Sequence, residues 1–325
     1  MMITEHNSVK IRWLSFLAIL CVVLGHCISG QGMLDRLIMA VFAQWHVPWF
    51  YVVSGMMLAY SLERHPLQKC CMSRLRTLVL PYFLWCCIGF LIVGGLGGHR
   101  ADISHWLGVG TAFPAGNPHL WYLHCLLVFS FTSIFVWSVC CLIKAQFRVS
   151  LFAFIYCVLF ATAIALKWST LFGTPTSPFY FLLGFIAARY ILAEKARSSA
   201  ATFGAIFVIA VGLRLGWFMF DLHGQVEQIL RMACVVAQFV VLWVGYDFVV
   251  SHIKPAMKSS RIIPWYVNSV FFVYCAHGFF LNLLKQIGMS GDVFLFVGTI
   301  SATLLLAWTM RRFSPTAYAI LTGGR

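Results

Sequence analysis

Charged residues are scarce in this chain, and acidic ones scarcer still. Only 10% of its 325 residues are Asp, Glu, Lys or Arg, and the acids number nine in all. A water-soluble globule of this length needs more polar surface than that, which excludes a soluble enzyme or binding module. Cysteine is plentiful at 12 residues, yet Cys-x-x-Cys pairs and zinc-type spacings are missing. The neighbours Cys70 and Cys71, Cys86 and Cys87, and Cys140 and Cys141 therefore read as small apolar packing residues, with neither a disulfide nor a metal site expected. Long polar stretches are lacking too. The longest connections, residues 61–76 and 97–118, are too short for a core of their own. The expected organisation is a single transmembrane domain over 1–325 with no soluble domain, and no internal repeat of the transporter kind is visible.

What the chain has is apolar sequence, 61% of it hydrophobic with a mean hydropathy of +0.88. Windows of about 18 to 25 mostly apolar residues recur, each long enough to cross a hydrocarbon core about 30 Å thick. They predict an all-α integral membrane protein of ten spans, at 11–29, 37–60, 77–96, 119–143, 149–167, 178–193, 200–219, 229–250, 265–286 and 293–310. Charge fixes the orientation, because short cytoplasmic loops collect Lys and Arg. With both termini cytoplasmic, 17 of the 23 Lys and Arg residues fall inside. Outside remain Arg36, Arg100, Lys167, Arg214, Arg231 and Lys285, set against Asp35, Asp102, Asp221, Glu227 and Asp292. The net charge of +14 is thus a topology signal that also meets anionic lipid or anionic cytosolic ligands, and nucleic-acid binding is not expected. The first span follows a short basic segment as a signal peptide would, but no small-x-small cleavage site follows it, so a retained helix is expected.

Ionisable groups inside such spans are expensive and point to function. Four histidines, which can be buried neutral, lie within them: His26, His46, His124 and His277. At about 1.5 Å per residue they fall roughly 8, 14, 9 and 12 Å below the outer surface of the core. Their shared depth suggests a polar chamber opening outward, with Asn117, His119, Trp121 and Tyr122 at its mouth. On the inner side His65, Lys69, Arg74 and Arg76 precede Pro81 and Tyr82. Guanidinium forks such as Arg74 and Arg76 match phosphate oxygens. A basic cytosolic entrance and an outer histidine chamber suit an enzyme that moves a group across the membrane.

The stretch WLSFLAILCVVLGH, Trp13 to His26, resembles the first helix of the acyltransferase 3 family, membrane acyltransferases that modify sugars of surface polysaccharides. HVPWFYVVSG from His46 to Gly55, RLRTLVLPY from Arg74 to Tyr82, HLWYL at 119–123 and SVFFVYCAH at 269–277 resemble later motifs of that family, in the right order. The resemblance implies an enzyme of the plasma membrane, the inner membrane of a bacterium. Its donor would be acetyl-CoA, bound from the cytosol by Arg74 and Arg76, and its acceptor a polysaccharide or lipid-linked glycan. It implies His26 as general base or acyl acceptor, His277 in support of catalysis, and His46, His119, Trp121 and Tyr122 on the acceptor side.

One position departs from the family pattern. The family carries Arg or Lys eleven residues before the histidine, where this chain has Ser15. Arg12 lies within about 40° of the same helix face and is expected to supply the cation. A transporter or flippase is the alternative, with the basic inner loop and His26 serving gating and substrate binding. Acyl-CoA binding separates the two.

Overall fold

The computed structural model describes residues 3–28, 45–94, 117–143, 147–168, 172–191, 204, 207–212, 225–252 and 263–324. All regular structure among them is helical. The helices are α1 (Glu5–Cys27), α2 (His46–Arg64), α3 (Leu67–Arg74), α4 (Leu80–Gly89), α5 (Trp121–Cys140), α6 (Arg148–Ala165), α7 (Ser177–Ile191), α8 (Gln225–His252), α9 (Val270–Gln286), α10 (Asp292–Phe313) and α11 (Pro315–Thr322). Seven helical stretches among the described residues are long and apolar enough to cross a membrane: Glu5–Cys27, Leu67–Ile92, Pro118–Cys140, Arg148–Ala165, Val226–Val250, Val267–Gln286 and Asp292–Phe313. Ser177–Ile191 is a shorter apolar helix. The span expected at 200–219 lies largely outside the described residues, as do residues 37–44, 97–116 and the outer charges Arg36, Arg100, Arg214, Asp35, Asp102 and Asp221.

Three boundaries differ from the sequence reading, each for a local reason. Helix α1 begins at Glu5 rather than 11, because the Thr4 hydroxyl accepts a hydrogen bond from the Asn7 N–H at 3.2 Å and caps the first turn. Lys10 and Arg12 are therefore helical. Helix α2 begins at His46, with Pro48 in its first turn where a missing N–H costs nothing. His46 thus stands at a helix start and not nine residues into one. Residues 61–76, expected as a polar connection, are mostly helical. A short turn at His65 and Pro66 separates α2 from α3, and the buried Cys70 thiol folds back to within 3.3 Å of Ser61 Oγ.

The chain divides into two compact units, one of residues 51–191 and 269–325 and the other of residues 2–50 and 192–268. In the first, glycines set the helix spacing. A Cβ on Gly55 would sit 2.1 Å from Phe181 O, and one on Gly184 would sit 2.0 Å from Val52 O. Only glycine at both positions lets the backbones of α2 and α7 touch, the small-residue packing that membrane helices favour. Around that crossing lies an aromatic core. Phe152 stacks on Phe185 at 4.0 Å, Tyr156 lies 4.4 Å from Phe160, and Phe129 lies 5.7 Å from Phe181.

In the second unit α1 packs on α8. Lys10, 1% exposed, places its ammonium 2.6 Å from Asp247 Oδ2 and 4.1 Å from the centre of the Trp243 ring, and donates to Trp243 O at 3.3 Å. Asp247 Oδ1 meets His6 Nε2 at 2.6 Å. Trp49, also buried, packs against Phe239 and Trp243.

Candidate functional site

The first unit gathers its polar groups where α5 begins. Asn117 starts the segment and is buried; its Nδ2 donates to Cys275 O at 3.0 Å, tying this turn to α9. A single 3-10 turn, Pro118–Leu120, leads into α5, whose first residues have no side-chain cap of their own. Tyr274 from α9 supplies one. Its hydroxyl donates to His119 O and accepts from the Leu123 N–H at 3.4 Å, satisfying a first-turn donor that the helix cannot.

That tether places His119 beside His277, with ring centres 4.8 Å apart. Gly278 makes room. A Cβ there would lie 2.1 Å from His119 Cδ2 and 2.6 Å from its Nε2. His277 is fully buried, with Nδ1 2.7 Å from Tyr274 O and 3.2 Å from Val273 O. Carbonyl oxygens only accept, so Nδ1 carries the proton. In the neutral ring the lone pair therefore sits on Nε2, where it can accept a proton or a hydrogen bond. His277 can donate from Nε2 only as imidazolium.

The neighbouring aromatic residues are less open. Tyr122 is buried, its hydroxyl 3.1 Å from Ser54 Oγ and its ring 4.8 Å from Tyr51 and 5.5 Å from Tyr274. Trp121 is half-buried over Gly173, whose Cβ would clash at 2.6 Å with the indole. His124 lies one turn further along α5 with Nδ1 3.4 Å from Tyr82 OH, and its buried Nε2 has no hydrogen-bond partner among the described residues. His124 belongs to the same neighbourhood as Tyr82 of the RLRTLVLPY stretch.

Arg74 and Arg76 do not sit in a loop. Arg74 ends α3, and Arg76 lies in a π turn, Leu75–Val79, that joins α3 to α4. Pro81 explains the turn: it has no N–H, and its ring would press on Thr77 O at α-helical spacing. The ladder widens instead, with the Leu80 N–H reaching back five residues to Leu75 O. Arg74 is half-buried and Arg76 exposed.

The second unit contains the remaining candidates. His26 lies in the last turn of α1, its side chain exposed between neighbours that pack, Val23 and Cys27. Ser15 accepts a hydrogen bond from the Trp49 indole N–H at 3.1 Å. Arg12 is exposed and its Nη1 donates to Asn268 Oδ1 at 3.2 Å. His46 is half-buried at the start of α2. The ion pair of the buried Lys10 with the half-buried Asp247 was not anticipated from sequence, although an acid in the apolar run 229–250 is a signal in its own right.

The family model described as an acyltransferase domain, that of the acyltransferase 3 family, matches residues 9–312. No curated protein and no solved structure matches the chain.

Proposed function

The chain belongs to the acyltransferase 3 family, and on that premise we propose that it moves an acetyl group from cytosolic acetyl-CoA to a sugar hydroxyl of a cell-surface or lipid-linked polysaccharide. The family and the apolar helices make it an integral membrane acyltransferase. The finer reading places it in a bacterial inner membrane with ten spans and both termini in the cytosol, and the uneven distribution of Lys and Arg supports that orientation.

The observation that carries the reading is His26. An apolar helix ends with an imidazole whose side chain stays accessible while Val23 and Cys27 beside it are packed. An accessible imidazole at that position can serve in either of two ways. It can take the proton of a sugar hydroxyl as that oxygen attacks the thioester carbonyl; the carbon–sulfur bond then breaks and the departing CoA thiolate takes the proton back. Alternatively the imidazole attacks first, releases CoA, and passes the acetyl group to the hydroxyl in a second step.

Arg74 and Arg76 bind the CoA phosphates, two guanidiniums two residues apart with one of them exposed. His46, His119, Trp121 and Tyr122 serve the acceptor side. His277 supports the reaction: as imidazolium it donates from Nε2 to a developing oxyanion, and as neutral imidazole it accepts a hydroxyl. Arg12 stands in for the basic residue replaced by Ser15.

Acetyl-CoA binding to the purified protein in detergent tests this reading. Saturable binding, weakened about tenfold by Arg76→Ala as expected for loss of one charge-assisted hydrogen bond, supports it. A protein that only transports its solute has no use for the thioester, and absence of binding contradicts the reading.

A further inference from the structure

Helix α11 lies beyond the stretch that matches the family, which ends at residue 312. It is nonetheless built into the first unit. Tyr318 and Thr322 are buried. The Tyr318 hydroxyl donates to Ser269 Oγ at 3.3 Å, its ring stacks on Phe272 at 5.5 Å, and the Arg311 guanidinium lies 5.4 Å over it. The indole of Trp85, on α4, donates to Leu321 O at 3.1 Å.

The helix ends at Gly323, φ +66°, against the π turn. A Cβ on Gly323 would lie 2.6 Å from Thr77 Cα, 2.9 Å from Thr77 O and 3.1 Å from Arg76 O. These are backbone atoms and cannot swing aside. Gly324 is also left-handed, φ +78°, but a Cβ there would meet nothing within 4 Å. The two glycines share a conformation and differ in what they touch.

The π turn governs where the arginines point. A single inserted residue rotates everything before it by about 100° relative to everything after it. If the turn relaxed to α-helical register, Arg74 would swing by that angle relative to α4. Pro81 opens the ladder here but supplies no contact that fixes the widened turn, and such turns are rare, so what packs against this one bears on the direction of both guanidiniums.

We propose that α11 is a latch that holds the π turn in register and so aims Arg74 and Arg76 at the phosphates of the acyl-CoA donor, with Gly323 and Trp85 as positioning residues. The inference rests on the reading of those arginines as the donor-binding pair. A broken latch weakens donor binding and leaves turnover of bound donor alone.

The test compares Gly323→Ala, Gly324→Ala, Trp85→Phe, and Arg74→Ala with Arg76→Ala, each in the full chain purified in detergent. Affinity for CoA and for 3′-dephospho-CoA is measured, together with KM and kcat for acetyl-CoA wherever transfer is detected. The latch predicts that Gly323→Ala weakens CoA about tenfold, the scale of one lost charge-assisted hydrogen bond, and narrows its preference over 3′-dephospho-CoA. KM rises with kcat unchanged, Trp85→Phe shifts affinity in the same direction, and Gly324→Ala behaves as wild type. Equal effects of the two glycine variants, or CoA affinity unmoved by Gly323→Ala, overturn the latch while the arginine variants still bind CoA weakly. If the arginine variants bind CoA as wild type does, the donor-binding reading falls and the latch with it. Should Gly323→Ala not yield folded protein, Trp85→Phe decides by the same criteria.

Discussion

Gly278 shows how much a single residue decides here. His119 occupies the space that any side chain at 278 would need, 2.1 Å from the nearest ring atom. Gly278→Ala is expected to push His119 off its place beside His277, at a cost of about 1–3 kcal/mol for overpacking. Thermal unfolding in detergent reads that cost. Transfer activity should fall further than the loss of folded protein explains, and an Ala variant of wild-type stability and activity would contradict the geometry.

Lys10 is the other residue-scale case. Without Lys10 the half-buried Asp247 keeps only the exposed His6 as a charged partner, so Lys10→Met should destabilise by about 1–3 kcal/mol. Because Asp247 also meets His6, the double variant Lys10→Met with Asp247→Asn should recover part of that loss. A double-mutant cycle of melting temperatures measures the coupling, and strictly additive losses would deny it. The sequence singles out His26 and His277 because imidazoles are conspicuous in apolar spans, and His119 at the start of one. It could not show that His119 and His277 pair, since 158 residues separate them and the ties of Asn117 and Tyr274 between α9 and the start of α5 bring them together.

At the scale of helices, apolar runs announced the long elements well. Helix α5 falls within residues 119–143 and α10 covers 293–310 and runs slightly past it at both ends, because a window of continuous apolar residues permits little else. Short polar helices were not legible. Leu67–Arg74 has the composition of a loop and is helical through its buried Cys70 and its continuity with the apolar helix that follows. The π turn was equally hidden, although Pro81 within an otherwise helical stretch hints at a disturbed ladder. The crossing of α2 and α7 illustrates why glycines in membrane helices resist interpretation: Gly55 and Gly184 look like weak helix formers until their backbones are seen in contact. Gly184→Leu should therefore separate these helices, and it is expected to abolish the monodisperse elution of the purified protein. Leu at the exposed, nearby position 190 in place of Tyr should not. Normal elution of Gly184→Leu would show that the crossing is not required.

At the scale of the whole molecule, the distribution of cations yields a prediction independent of chemistry. With the proposed orientation, Lys69 faces the cytosol and Lys285 the outside, and both side chains are exposed. In a background with the exposed Cys141 and Cys157 replaced by serine, Lys69→Cys should react with a membrane-impermeant maleimide only in inverted vesicles and Lys285→Cys only in right-side-out ones. Labelling of both from one side would reverse or break the topology. In the proposed reaction the same orientation gives the membrane a part, with the donor entering from inside and the acceptor presented from outside.

The proposed reaction gives its central role to His26. Mass spectrometry of surface polysaccharide from cells expressing the wild-type chain or His26→Ala at equal levels isolates its contribution. Acyl transfer through His26 predicts an acetyl-sized substituent in the first sample and its loss in the second. A glycan that keeps the substituent when His26 is replaced would contradict the assignment.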